Sequence, residues 1–111
     1  MNIDDIKKAN AEAGLYFFSE DTLRFFSSRT GTTVYGVFRS GTPGGQYFIT
    51  SERDDCNSPR MFTVRRYDPV THDISTVGNF KEYKTSQGAA KRAMRERDRE
   101  QATGDWKGKE D

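Results

Sequence analysis

The sequence predicts one α+β domain: a four-stranded antiparallel sheet, ordered as a meander, with short N-terminal helices and a C-terminal helix packed on one face. Three observations lead to this fold class. Through the middle of the chain, apolar and polar residues alternate with a period of two, which is typical of strands. Both ends instead show helical spacing with capping residues. The aromatic residues, one Trp, five Tyr and eight Phe, favour strands and supply apolar area for a small core.

The N-terminal segment is predicted to form a helix over about residues 2–13. Asp4 and Asp5 fall in its first turn, where the helix dipole favours negative charge, and Gly14 can adopt the left-handed conformation that ends a helix. A second short helix is predicted over about residues 20–27, because serine and carboxylate residues precede it. We expect the helices to share one face of the sheet, with the other face partly solvated.

Four strands follow, separated by segments rich in Gly, Pro and Asp. A flexible connection at 41–45 joins the first two strands, and a polar loop at 53–59 joins the second to the third. The turn at 68–72 has Pro69 at its second position, as in a type I turn, so the last two strands form a hairpin. The predicted strands span residues 32–38, 46–52, 60–67 and 73–78.

The C-terminal helix is predicted to begin at Thr85 or Ser86 as N-cap. Its alanines at 89, 90 and 93 are small enough to lie close to a sheet, and Met94 is the last apolar residue of that stretch. Beyond Met94 the helix is strongly charged, with Arg92 and Glu96 spaced to pair, so we expect a solvated helical surface. The domain is predicted to span residues 1–102, followed by a disordered tail at 103–111.

Composition excludes several classes of protein. No apolar run approaches the roughly 20 residues of a membrane-spanning helix. The acidic start of the chain, with no apolar stretch behind it, argues against a secretory signal. A single cysteine excludes an intramolecular disulfide and is consistent with a reducing compartment. We therefore predict a cytoplasmic protein that does not contact a membrane.

Groups that could carry chemistry are sparse, so we predict a protein that is not an enzyme and has no cofactor. The single histidine, His72, closes a tight turn, where a residue that tolerates the left-handed conformation is normal. Cys56 lies beside Asp54 and Asp55, which disfavour a reactive thiolate. These two carboxylates and Glu52 are interpreted as a solvated loop rather than a metal site. No catalytic or metal-binding residue is predicted.

Positive charge is concentrated in one part of the chain. Residues 60–100 carry 10 Lys and Arg against 6 Asp and Glu, whereas residues 1–59 carry 6 against 8. The turn at 68–71, the strand end at 78–80 and the alanine-rich helix resemble the AP2 type of DNA-binding domain, in which a three-stranded sheet packs on one helix. This resemblance implies that Arg65, and with it Arg60, would enter the major groove of DNA. The phenylalanine and threonine that close the motif are further apart than in that family.

A second resemblance covers more of the chain. The segments that carry it are residues 16–29, 47–52, 62–68 and 76–80. Together they are similar to a family of small uncharacterised proteins of bacteriophages and mobile elements. The resemblance implies an accessory role in an infected host bacterium and gives no catalytic residues.

The leading hypothesis from these observations is a non-enzymatic, phage-encoded protein-binding module that inhibits a host defence complex, as an anti-CRISPR or another anti-defence protein does. The alternative is an AP2-like protein that binds double-stranded DNA through strand arginines. The expected partner is therefore a host protein or nucleoprotein complex. Adjacent strand residues face opposite ways, so one of Arg65 and Arg66 is expected to face solvent. The predicted partner-binding residues are Arg60, Arg65, Arg66, Tyr47 and Tyr67.

Overall fold

The structure, a computed structural model, describes residues 3–15, 33–37, 44–52 and 57–104. Its elements in chain order are α1 (Ile3–Glu12), β1 (Tyr35–Gly36), β2 (Gln46–Glu52), β3 (Met61–Tyr67), β4 (Ile74–Val77) and α2 (Ser86–Thr103). Among these described residues, no helix is long and apolar enough to cross a membrane.

The four strands form an antiparallel sheet in the order β1-β2-β3-β4, which confirms the predicted meander and the α+β class. The bounds of β2 are the predicted ones, β3 begins one residue later than predicted, and β4 is one residue shorter at each end. Strand β1 is shorter than the predicted 32–38. Several predictions concern segments outside the described residues: the helix at 20–27, part of the connection at 41–45, the loop at 53–56 with Cys56, and residues 105–111.

One face of the sheet packs against α2. The core on this face comprises Val37, Tyr47, Ile49, Val64, Val77, Ala89 and Ala93. Both alanines are fully buried, so the backbone of α2 comes close to the strands, as their small size predicts. The helix starts at the predicted N-cap, where the Thr85 hydroxyl accepts a hydrogen bond from the Gly88 N–H at 3.1 Å.

The opposite face holds a second core, to which α1 contributes. Ile6 of α1 packs with Phe48, Tyr67 and Ile74, and all four are buried. Because Phe48 alternates with Tyr47 and Ile49 along β2, this cluster lies on the face away from α2. The helices therefore cover opposite faces, whereas the sequence analysis placed them on one. The physical reason is that β2 and β3 carry apolar side chains on both faces, so each face needs a cover.

The turn between β3 and β4 is closed at both ends. The Asp68 N–H donates to the Asp73 carbonyl at 2.9 Å, and the His72 N–H donates to the Asp68 carbonyl at 2.7 Å. The Asp68 carboxylate also accepts hydrogen bonds from the N–H groups of Val70 and Thr71. His72 has a φ of 65°, so the left-handed conformation expected there is confirmed. The hairpin register is thereby fixed at its tip.

The second half of α2 differs from the expected solvated surface. Met94 is 38% exposed, whereas Glu96 and Glu100 are 5% and 4% exposed. These glutamates continue the stripe of Ala89 and Ala93 at helical spacing, so they face the sheet. The prediction of a solvated helical surface beyond Met94, which rested on charge, was wrong for these two side chains. A buried carboxylate requires compensating partners, which are described below.

We predict that Phe48→Ala lowers the free energy of unfolding by about 3–5 kcal/mol, the usual cost of truncating a buried Phe. Phe80→Ala is the matched control, since Phe80 is 55% exposed and a surface substitution changes stability by roughly 0.5 kcal/mol or less. Urea denaturation followed by far-UV circular dichroism measures both. Equal losses in the two variants would show that the second core does not stabilise the fold.

Candidate functional site

Burial separates the five predicted partner-binding residues. Arg60 is exposed, and its guanidinium donates to the Ser51 hydroxyl at 2.9 Å. The other four are buried: Tyr47 is fully inaccessible, Tyr67 is 1% exposed, and Arg65 and Arg66 are 6% and 8% exposed. The two arginines do lie on opposite faces, but the expectation that one of them faces solvent was wrong. Binding by Arg60 stays a prediction.

A buried ion pair joins β3 to the end of α2. Arg66 Nε lies 3.0 Å from Glu100 Oε1, and Arg66 Nη2 lies 3.0 Å from Glu100 Oε2. This two-pronged geometry matches the planar guanidinium to both carboxylate oxygens. The side chains are 9% and 6% exposed, so water does little to screen their attraction.

The same carboxylate also binds β2 and the residue before it. The Tyr47 hydroxyl donates to Glu100 Oε1 at 2.6 Å, and the Gly45 N–H donates to Oε2 at 2.9 Å. A Cβ on Gly45 would lie 2.7 Å from Glu100 Oε1 and would also clash with the Arg66 guanidinium. Only glycine lets the backbone approach this closely. Glu100 therefore accepts four hydrogen bonds, two from β3, one from β2 and one from the residue before β2.

The titration behaviour follows from this arrangement. Burial acts to raise the pKa of Glu100, but the hydrogen bonds from Arg66, Tyr47 and Gly45 outweigh it and hold that pKa below its usual value. Burial, together with the neighbouring Glu100 carboxylate, raises the pKa of Tyr47 well above the ordinary value for tyrosine. At neutral pH, Glu100 thus stays a carboxylate that accepts hydrogen bonds, and Tyr47 stays a neutral phenol that donates one. We call this set, Tyr47, Arg66 and Glu100 with the Gly45 N–H, the buried cluster.

A second arginine lies on the other face of the sheet. Arg65 donates to the hydroxyl oxygens of Thr50 at 3.0 Å and Thr76 at 2.5 Å, which places its guanidinium across β2, β3 and β4. Its carbon Cζ lies 5.4 Å from the centre of the Phe80 ring, a cation–π distance. Lys81 Nζ lies 5.5 Å from the same ring. Two positive charges therefore lie within cation–π distance of one aromatic ring.

Phe80 itself is exposed, on the loop that joins β4 to α2. This segment, residues 78–83, is here called the Phe80 loop. Gly78 and Lys81 both have left-handed backbone, with φ of 78° and 59°. The Lys81 N–H donates to the Thr63 hydroxyl at 2.8 Å, and Tyr83 exchanges backbone hydrogen bonds of 2.7 and 3.1 Å with Phe62. The part of the loop that follows Phe80 is thereby held to β3.

Side chains of α2 hold the other side of the loop. Arg92 donates to the Tyr83 hydroxyl at 3.0 Å, to Glu82 at 3.4 Å and to Glu96 at 2.8 Å. The pairing of Arg92 with Glu96 confirms the sequence prediction. Glu96 also pairs with Arg99, so this second buried carboxylate has two cationic partners.

The predicted non-catalytic residue His72 has a structural contact that the sequence did not indicate. Its Nδ1 lies 2.6 Å from the Tyr67 hydroxyl, and its carbonyl accepts a hydrogen bond from Asn10 Nδ2 at 3.0 Å. Burial acts with the nearby Asp68 to raise the pKa of Tyr67, which disfavours its phenolate. These contacts tie α1 to the β3–β4 turn.

Sequence reasoning missed Glu100, Gly45 and Phe80. Glu100 had an apparent local partner in Arg97, three positions away, which hid its long-range role. A signal was present: positions 89, 93, 96 and 100 form one helical stripe that begins with buried alanines. In the part of the chain that the structure describes, no group of three or more metal-ligating side chains occurs. The Phe80 loop, which places an exposed aromatic ring close to two cationic side chains, is the candidate site.

We predict that stability falls in acid because of Glu100. Its pKa is lower in the folded chain than its ordinary 4.5, so its contribution is present above pH 4.5 and is lost as the pH falls through the folded value. Glu100→Gln should lower stability at neutral pH and flatten the acid slope. Asp98→Asn is the control, because that side chain is 69% exposed. Urea titrations at pH values between about 3 and 7 measure the slopes; an unchanged slope in Glu100→Gln would contradict this assignment.

Comparison with known proteins identifies the family but no activity. Residues 2–95 match the model of a family of unknown function, DUF7447. No curated protein and no solved structure matches the chain. The matched stretch includes the whole described sheet, Arg66 and the Phe80 loop, and it ends before Glu96. The resemblances to phage proteins and to AP2-type domains stay predictions. The chain belongs to the DUF7447 family.

Proposed function

We propose that this protein is a non-enzymatic protein-binding module and that Phe80 is the centre of its binding surface. The observation that carries the proposal is an aromatic side chain, 55% exposed, with two cationic groups within 5.5 Å of its ring centre. Aromatic anchors with arginine beside them are enriched among the residues that dominate the free energy of protein–protein binding. Phe80 supplies the exposed aromatic anchor, and the buried Arg65 lies beside its ring within the sheet.

The construction of the Phe80 loop supports the same function. Backbone hydrogen bonds to β3 and side-chain bonds from Arg92 fix the loop before any partner arrives. A surface that is already ordered loses less conformational entropy on binding, which favours affinity. An exposed phenylalanine on a mobile loop would lack this advantage.

The DNA-binding alternative has less support from the geometry. A sheet that reads the major groove needs strand arginines that reach base edges. Arg65 and Arg66 instead point into the covered faces, where they bind threonine hydroxyls and Glu100. The burial of both arginines therefore argues against the DNA-binding alternative.

The resemblance to phage proteins supports a specific role for such a binding module. In this role the module blocks a host defence complex in the cytoplasm of an infected bacterium. An exposed aromatic anchor on a fixed loop suits an inhibitor, since blocking requires affinity and no chemistry. Affinity capture from bacterial lysate identifies the host complex.

The test is affinity capture from bacterial lysate with three immobilised chains: wild type, Phe80→Ala and Val70→Ala. Val70 is 68% exposed and lies in the β3–β4 turn, so it is a matched apolar control. We expect one protein to be captured by wild type and Val70→Ala and lost in Phe80→Ala, with a loss of affinity of at least about 30-fold, as for a binding hot spot. Calorimetry with the purified partner checks the affinities. Equal capture by all three chains would refute the role of Phe80.

A further inference from the structure

We propose that the partner adds an extended, acidic segment as a fifth strand along the outer edge of β4, next to Phe80. This inference rests on the proposed protein-binding function and names the class of partner. Strand addition is a common way for a sheet to bind an extended peptide, because backbone hydrogen bonds supply affinity and alternate side chains supply specificity.

The hydrogen-bond pattern of the hairpin determines which groups of β4 point outward. In an antiparallel pair, bonded and non-bonded residue pairs alternate. The bond from Asp68 to Asp73 and the reciprocal bonds between Phe62 and Tyr83 set the phase. Ser75 and Val77 therefore bond to β3, while Ile74 and Thr76 direct their backbone groups to the outer edge.

One end of this edge is closed by the chain itself. The Ile74 N–H donates to the Asp73 carboxylate at 2.9 Å. The outer groups that remain are the Ile74 carbonyl and both backbone groups of Thr76. In the described part of the chain, no strand pairs with β4 on this side. An incoming strand would therefore form its hydrogen bonds around Thr76.

Apart from its short length and the Asp73 carboxylate at one end, the edge of β4 carries no protective feature. Natural edge strands commonly carry a lysine, a proline or a bulge that prevents pairing with other chains. β4 has the sequence Ile-Ser-Thr-Val, without charge and without proline. Its residues pair with β3 one to one, so there is no bulge in the strand.

Phe80 and the Thr76 side chain both lie close to the Arg65 guanidinium. The Arg65 guanidinium touches both the Thr76 hydroxyl and the Phe80 ring, so one side chain connects the edge to the aromatic. A strand that bonds to Thr76 would place alternate side chains on that face of the sheet, next to Phe80. The edge and the aromatic therefore form one continuous surface.

Charge specifies the partner further. Lys81 Nζ lies 5.5 Å from the centre of the Phe80 ring, and Lys84 follows the loop as an exposed residue. The buried Arg65 adds a third positive charge close to the same ring. A partner segment with carboxylates between its apolar residues complements this positive surface, whereas a basic segment is repelled. We therefore expect apolar and acidic residues to alternate in the bound strand.

The probe is a synthetic peptide of about eight residues that alternates phenylalanine or valine with glutamate, the spacing of a strand. Thr76→Pro removes the outward N–H and leaves the bonds from Ser75 and Val77 to β3 in place, as proline at an edge position does. Thr76→Val is the matched control, because it loses the same hydroxyl and keeps the N–H. Binding is followed by NMR titration, and hydrogen exchange reports on the Thr76 amide.

In the free chain we expect fast exchange at Thr76 and slow exchange at Ser75 and Val77. The peptide should slow exchange at Thr76 and bind wild type and Thr76→Val alike, and Thr76→Pro about tenfold more weakly, as for one lost hydrogen bond. The same peptide with lysine in place of glutamate should bind more weakly. No binding at about 1 mM, or equal binding to Thr76→Pro, would overturn strand addition.

The outcome separates this inference from the proposed function. If the captured partner binds Thr76→Pro as it binds wild type and is lost in Phe80→Ala, the protein-binding function stands and the strand mode is wrong. If Phe80→Ala keeps the partner, the proposed function fails. Concentration-dependent dimers that Thr76→Pro abolishes would assign the edge to a second copy of this chain. Tighter binding of duplex DNA than of the peptide would assign the surface to nucleic acid.

Discussion

The buried pairing of Arg66 with Glu100 is the interaction on which the rest of the structure depends. Removing two charges from water costs solvation free energy, and the attraction of one ion pair alone rarely offsets that cost. Here the carboxylate accepts hydrogen bonds from Arg66, Tyr47 and Gly45, which together cover both of its oxygens. Because these donors lie in and beside β2 and β3, one side chain at the end of α2 fixes the helix over the centre of the sheet.

The position of α2 in turn determines the surface at the Phe80 loop. Arg92 lies two turns before Glu100 and donates hydrogen bonds to Glu82 and Tyr83 of the loop. It also donates to Glu96, one turn further along α2. The backbone of α2 therefore links the buried cluster, at Glu100, to the side chains that hold the Phe80 loop, at Arg92 and Glu96. A shift of α2 on the sheet would therefore also move the loop that presents Phe80.

The features predicted correctly from the sequence are those that short segments determine. Alternation and turn residues defined β2, β3 and β4 to within a residue, and local capping chemistry placed Thr85 and the left-handed His72. The pairing of Arg66 with Glu100 spans 34 positions, and no local pattern selects it over the neighbouring Arg97. The helix faces were also misassigned, since the pattern shows that both sheet faces are apolar but not which helix covers each. Charge alone did not predict exposure, because buried carboxylates satisfied by donors look the same in sequence as solvated ones.

The most direct test is a double-mutant cycle between Arg66→Met and Glu100→Leu, measured by urea denaturation at neutral pH. We expect each single variant to lose about 3–5 kcal/mol, since it leaves one buried charge unpaired, and the double variant to regain part of that loss. A coupling free energy of at least about 2 kcal/mol is therefore expected. The exposed pair of Arg97 and Asp98, 2.7 Å apart, is the control cycle, with a coupling below about 1 kcal/mol. Additive losses at Arg66 and Glu100, with no coupling, would contradict the account.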